Sequence, residues 1–343
     1  MPFNEKKLVQ IIEYLNSTAL LCVAGVVGVI VFFLAAPKSQ PNAARIDEAV
    51  SVSPPANSAE AVWTPPDSTK IPNTPAGDLI RYGRELVAHT AAYLGPEGKV
   101  AAISNGMNCQ NCHLKAGKKL YGNSYAAVAS TYPKLRARSG TVESVEKRVN
   151  DCIERSLNGK RLDEQSHEMQ AFVAYIKWVG SEVEKGVTPK GARLLEIPEL
   201  DRAADPAKGQ IVFQQHCERC HGVRGEGMKD LPGPEWHYPP LSDKNSYNVG
   251  AGLYRLSRFA AYVKSNMPNG VTYDNPTLTD EEAWDVAAYV NSLPRPGKDL
   301  SADWPDITKK PFDHPFGPYA DSFTETQHKY GPFGPIKAAQ QPN

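Results

Sequence analysis

The sequence has no excess charge of either sign. Its 38 lysines and arginines stand against 38 aspartates and glutamates, so no global basic field points to nucleic acid and no acidic one to a cationic partner. Long apolar runs are also missing, apart from one near the N-terminus. Cysteine is scarce. Of the six, Cys22, Cys109, Cys112, Cys152, Cys217 and Cys220, four fall into two C-x-x-C-H pentapeptides, which leaves little for disulfides. Proline, by contrast, is plentiful at 29 residues, and implies compact helical units separated by extended segments.

The pentapeptides are Cys109-Gln110-Asn111-Cys112-His113 and Cys217-Glu218-Arg219-Cys220-His221. Two cysteines three apart can each form a thioether to one vinyl group of a haem, and the adjacent histidine then reaches the iron. A redox dithiol needs no following histidine, and a zinc site would lack its fourth ligand twice over. We therefore expect two covalently bound haem c groups, attached at Cys109, Cys112, Cys217 and Cys220, with His113 and His221 as proximal ligands. Such attachment occurs outside the bacterial cytoplasm, which puts the haem domains in the periplasm or on the outer face of the membrane.

Residues Thr18 to Ala36 carry no charge and are dominated by Leu, Val, Ile and Phe. The run is near the minimum for a spanning helix and longer than a usual signal-peptide core. Ala35-Ala36 could mimic a cleavage site, but Pro37 behind them disfavours cutting. We expect a retained single-pass inner-membrane anchor over 1–36, then a Pro-rich linker over 37–76. Two helical units follow, 77–185 and 204–296, joined by a linker over 186–203, with an extended aromatic tail over 297–343 that packs along them. Each unit opens with a glycine-bearing helix (Gly83, Gly209) and closes with an aromatic-bearing amphipathic one (around Tyr175 and Tyr289). Thr279 with acids behind it announces the second closing helix. This order resembles the class I cytochromes c, so the expected fold is all-α: two such domains in tandem, preceded by one N-terminal transmembrane helix.

The sixth ligands separate the two units. Met267, before Pro268, lies where class I cytochromes place a distal methionine; Met228 is too close to His221, and Lys264 one turn earlier is a possible substitute. The first unit has no methionine there. Aligned on the closing-helix tyrosines, Met267 lies twenty-two residues before Tyr289 and Cys152 twenty-three before Tyr175. Cys152 thus takes the distal position, whereas Met107 and Met169 do not. A small buried hydrophobe is the plainer role for a lone cysteine, but the oxidising compartment and the repeat argue for a ligand thiol. It sits in an expected helix from Val142 to Ser156 with Thr141 as N-cap and Asn158-Gly159 as its stop. Arg148 and Ser156 share its face, and Arg138 lies upstream. Singly, each arginine suits a solvated surface or a haem propionate; around a ligand thiol they make an anion pocket.

Several stretches together are similar to the dihaem thiosulfate dehydrogenase family: Asn105–Leu114, Arg148–Gly159, Glu168–Ala171, Ser246–Gly252 and Asn266–Pro268. The resemblance covers roughly Asp78 to the C-terminus. It implies oxidation of two thiosulfates to tetrathionate, or the reverse, at a haem held by His113 and Cys152. Arg138, Arg148 and Ser156 would bind substrate. A second haem, held by His221 and Met267, would pass electrons to a c-type cytochrome or terminal oxidase. The anchor departs from the family's many soluble members. Coupling two dianions requires offsetting their repulsion, which Arg138 and Arg148 can do. Cys152 is expected to leave the iron and form a transient sulfur–sulfur bond with substrate. A tethered dihaem carrier without catalysis would share the haems, the anchor and Met267 but would need no anion pocket. A dihaem peroxidase would need an open sixth position.

Overall fold

A computed structural model describes residues 62–229 and 233–340. The anchor, Cys22 and most of the Pro-rich linker lie outside the described residues. Among those described, no helix is long and apolar enough to cross a membrane.

The frame is one helix crossing, used twice. Helix α1 (Pro75–Ala88) starts at Thr74, whose hydroxyl accepts from Gly77 N–H, with Pro75 at the first helical position. After it come α2 (Val145–Arg155), α3 (His167–Val179), α4 (Pro206–His216), α5 (Leu256–Asn266) and α6 (Asp280–Ser292). A Cβ placed on Gly83 of α1 would lie 1.9 Å from the Ala171 carbonyl oxygen of α3. One on Gly209 of α4 would lie 1.8 Å from the Asp285 carbonyl oxygen of α6. Only a residue without Cβ allows either approach. Thr279 caps the start of α6 as expected, and with Glu282 it forms a capping box.

Each crossing backs its own core. The first gathers Leu86, Met107, Ile153, Met169, Phe172 and Tyr175, the second Phe213, Leu256, Phe259, Trp284, Val286 and Ile336. The units also bond to each other: the Tyr262 hydroxyl donates to Asn111 O at 2.9 Å, and Asn266 Nδ2 to Tyr121 O at 3.0 Å.

The expected all-α architecture carries one small ribbon, in which β1 (Lys134–Arg136) pairs antiparallel with β2 (Thr141–Glu143). Two expectations need correction. Thr141 is a strand residue of this ribbon and not the helix cap. That cap is Ser144, whose hydroxyl accepts from Lys147 N–H at 3.1 Å, and the helix closes at Arg155 with Ser156 as C-cap. The tail packs as expected, placing Phe312, Phe323, Tyr330 and Phe333 against the second core. It is not extended throughout, since Glu325–Tyr330 and Gly334–Gln340 are helical.

Candidate functional site

The first pentapeptide is held by hydrogen bonds from the end of α1 and the turn after it. Cys109 N–H donates to the Thr90 hydroxyl at 3.0 Å, Gln110 Nε2 to Ala88 O at 2.7 Å, and Asn108 Oδ1 accepts from Ala91 N–H at 2.8 Å. His113 Nδ1 lies 2.5 Å from Asn123 O. The proton therefore sits on Nδ1, and the Nε2 lone pair is free for a metal. Burial pushes the His113 pKa down to about 4, which keeps the ring neutral, as a ligand must be. Tyr125 packs on it at 4.6 Å between ring centres.

Helix α2 faces this motif. Val145, Val149 and Ile153 bury one flank, and Arg148 and Cys152, one turn apart, share another. Burial drives the Cys109 and Cys112 thiols up to about 12, and the charge of Cys152 adds to the effect in both. Proximity to Cys152 is also the largest influence on half-buried Arg148, whose pKa it raises. His113, Cys109, Cys112, Cys152 and Arg148 thus converge. Ser156 stands one turn beyond Cys152, its N–H donating to Cys152 O at 2.7 Å.

Arg138 enters from the turn of the ribbon. It is half-buried, and desolvation together with Arg155 and Arg148 pushes its pKa down to about 10. Its Nη1 lies 3.5 Å from Gly250 O and its guanidinium 5.9 Å from the Trp304 ring centre. Arg155, which the sequence did not single out, makes a bidentate pair with Asp303 at 2.7 and 2.8 Å. Asn248 caps the end of α2, donating from its backbone to Arg155 O at 3.0 Å and from its amide to Glu154 O at 2.8 Å.

The second pentapeptide borders a cavity of about 480 Å³ lined by Cys217, Cys220, His221 and Met267, and also by Asn111, Cys112 and Leu114 of the first motif. His221 Nδ1 lies 2.8 Å from Pro239 O, again freeing Nε2. Met267 caps α5, its N–H donating to Val263 O at 2.9 Å. Lys264 is committed elsewhere: it donates to Leu278 O at 2.7 Å and pairs with Asp280 at 2.8 Å. Met107 and Met169 are buried in the first core.

The residues fit haem on further grounds. Trp236 lines the cavity with its indole N–H buried and unpaired among the described residues. Arg295 stacks at 4.4 and 4.9 Å on Tyr247 and Tyr254, and its Nε and Nη1 are likewise buried without partners. Buried orphan donors of this kind are rare and call for an acceptor; carboxylates on the edge of a haem would supply it.

Two thiols followed by a histidine whose Nδ1 is held by a backbone carbonyl and whose Nε2 is left free, twice, define a cytochrome c. The comparisons agree. Residues 206–294 match the family described as Cytochrome c, and residues 99–184 that described as SoxA/TsdA, cytochrome c domain. These domains bind haem c covalently. The chain is 35% identical over 244 residues to a thiosulfate dehydrogenase of Psychrobacter arcticus, covering 70% of this chain and 71% of that one. It is 35% identical over 237 residues to one of Stutzerimonas stutzeri, covering 69% and 74%. A solved structure, thiosulfate dehydrogenase (TsdBA) from Marichromatium purpuratum in its "as isolated" form, superposes with a TM-score of 0.63 at 31% identity. That match covers 68% of this chain and spans half of the other. The chain belongs to the thiosulfate dehydrogenase family and is an oxidoreductase.

Proposed function

We propose that this protein carries two haems c and joins two thiosulfates into tetrathionate, a reaction that can run in either direction. His113 and Cys152 would hold the first haem, and His221 and Met267 the second. The observation that carries this reading is the placement of Cys152 and Arg148 together against the first pentapeptide. An electron carrier has no use for an arginine set beside a ligand thiol. Each haem, when bound, supplies a one-electron acceptor, so two suffice for the pair of electrons released.

The chain's own groups do the rest. Arg148 and Arg138 draw in the dianions and offset their mutual repulsion, with Ser156 as a hydroxyl donor beside them. The Cys152 thiolate bonds to the outer sulfur of one thiosulfate, giving Cys–S–S–SO₃⁻ and two electrons. A second thiosulfate attacks the adduct at the sulfur bearing the sulfonate. Tetrathionate leaves and the Cys152 thiolate returns, so atoms and charge balance. Electrons would pass through the second haem to a c-type cytochrome or terminal oxidase. The N-terminal segment would tether the chain to the inner membrane with its haem domains in the periplasm.

The test is thiosulfate-dependent reduction of the haems in the purified protein. Reduction by thiosulfate and reoxidation by tetrathionate are expected. If neither occurs, the protein is instead a tethered dihaem carrier.

A further inference from the structure

We propose that Trp304, in the C-terminal tail, binds substrate: its indole N–H is a donor to the outer of the two anions in the site, beside Arg138. The proposal rests on the reaction proposed above, which needs two anion positions. The inner one is at Cys152 with Arg148. The outer one is argued from the tail.

The tail is seated on the arginine cluster. Trp304 N–H donates to Arg138 O at 2.7 Å, and the Arg138 guanidinium lies over the Trp304 ring. Pro305 fits the ribbon turn so closely that a Cβ on Gly140 would lie 2.8 Å from its Cγ. One residue back, Asp303 clamps Arg155 with both oxygens.

The charges around this seat do not balance. Asp303 matches Arg155. Arg138 is half-buried, and although Asp303 acts on it from a distance, among the described residues no carboxylate stands within ion-pair distance of it. A half-buried guanidinium left this way marks a place for an anion.

The donor that would complete that place is present. Trp304 is only 8% exposed, and its Nε1 is buried with no hydrogen-bond partner among the described residues. Its backbone sits at φ +61°, a left-handed conformation that bulky residues hold only where their surroundings over-determine it, often at ligand clamps. The tail thus sets an orphan donor beside an unmatched cation, 5.9 Å from ring centre to guanidinium. A sulfonate oxygen bound there would satisfy both Arg138 and the indole.

Trp304→Phe isolates the claim, because the ring that packs under Arg138 stays and only the N–H goes. The probe is tetrathionate, titrated calorimetrically into the fully oxidised holoprotein, where no electron can move. A hydrogen bond to a charged group is worth roughly tenfold to a hundredfold in affinity, so Kd should weaken by that factor. In turnover, KM for thiosulfate should rise similarly while kcat holds within about twofold, the pattern of uniform binding. Trp304→His, which keeps a ring N–H, should recover part of the affinity.

An unchanged Kd in the phenylalanine variant overturns the proposal, and so does a loss that histidine does not recover in any part, since that loss is packing. A wild type that binds no tetrathionate also overturns it. If wild type binds tetrathionate, but thiosulfate reduces neither haem, the reaction proposed above fails while a weakened W304F still places Trp304 at the anion site.

Discussion

Replacing Gly83 with alanine tests the frame and its link to the first haem site together. The new Cβ would lie 1.9 Å from Ala171 O, 2.6 Å from its carbonyl carbon and 2.7 Å from Tyr175 Cβ. Ordinary carbon–oxygen contacts begin near 3.3 Å, so α1 and α3 must part by about 1.4 Å at the crossing. Two of the three clashing atoms are backbone, which cannot swing aside. Alanine returns about 1 kcal/mol of helix propensity, against an overpacking loss at or beyond the upper end of about 1–3 kcal/mol. The net loss is about 2 kcal/mol, or roughly 4–8 °C in Tm for a cooperative unit of this kind. The damage should also reach the haem, because the Tyr175 hydroxyl of α3 donates to Ala116 O at 2.9 Å, three residues beyond His113. Calorimetry on the full holoprotein reads the first effect and the spectrum of the first haem the second. A Tm that holds or rises would mean that propensity alone operates and that the helices do not approach this closely.

Four further outcomes are expected. Cys152→Gly should abolish thiosulfate oxidation while both haems stay attached, as mass and pyridine haemochrome spectra can check; full activity in that variant would end the Cys152 mechanism. Arg148→Leu should lower kcat/KM for thiosulfate by roughly tenfold to a hundredfold, the worth of one charge-assisted hydrogen bond, and a loss under threefold would remove Arg148 from the substrate. Met267→Ala should lower the reduction potential of the second haem only, since a thioether ligand raises it; potentiometry showing neither potential moved would refute that assignment. Burial holds the His314 pKa at about 4 against an ordinary 6.5, so between these values the unfolded chain takes up a proton that the folded chain refuses. Stability should be full above pH 6.5 and fall by about 1.4 kcal/mol per unit as the pH drops through this window. His314→Asn should flatten that part of a urea-midpoint profile, and an identical slope would disprove it.

The sequence was legible where covalent chemistry or close packing dictates spacing. The pentapeptides fix where haem attaches, and the glycines of α1 and α4 announce helix crossings because no other residue fits. Cys152 could be found by aligning one repeat on the other. What stayed hidden has physical reasons. Strands of three residues are too short to show a period of two, and the β1–β2 pair Leu135 and Val142 points to solvent, so the ribbon left no hydrophobic signature. Thr141 and Ser144 are both good caps, and only the ribbon decides between them. Arg155 and Asp303 are 148 residues apart, and nothing local marks them as partners. Trp304 looked like one aromatic among many in the tail.

The two halves share their helix crossing, a Cβ on Gly83 or Gly209 lying 1.9 or 1.8 Å from the facing backbone oxygen, so the difference between them must lie in the segment between haem motif and closing helix. In the second half that segment is α5, buried along Leu256, Phe259, Ala260 and Val263, which ends at Met267, proposed as a neutral ligand that asks nothing of its surroundings. In the first half it is the ribbon and α2, which deliver a thiol and three arginines. Such a cluster is costly, since each half-buried cation needs an anion nearby. Asp303 answers Arg155 from the tail. Arg138 has no carboxylate at ion-pair distance among the described residues, and under the proposed reaction that imbalance is what would separate a site that binds anions from one that only passes electrons.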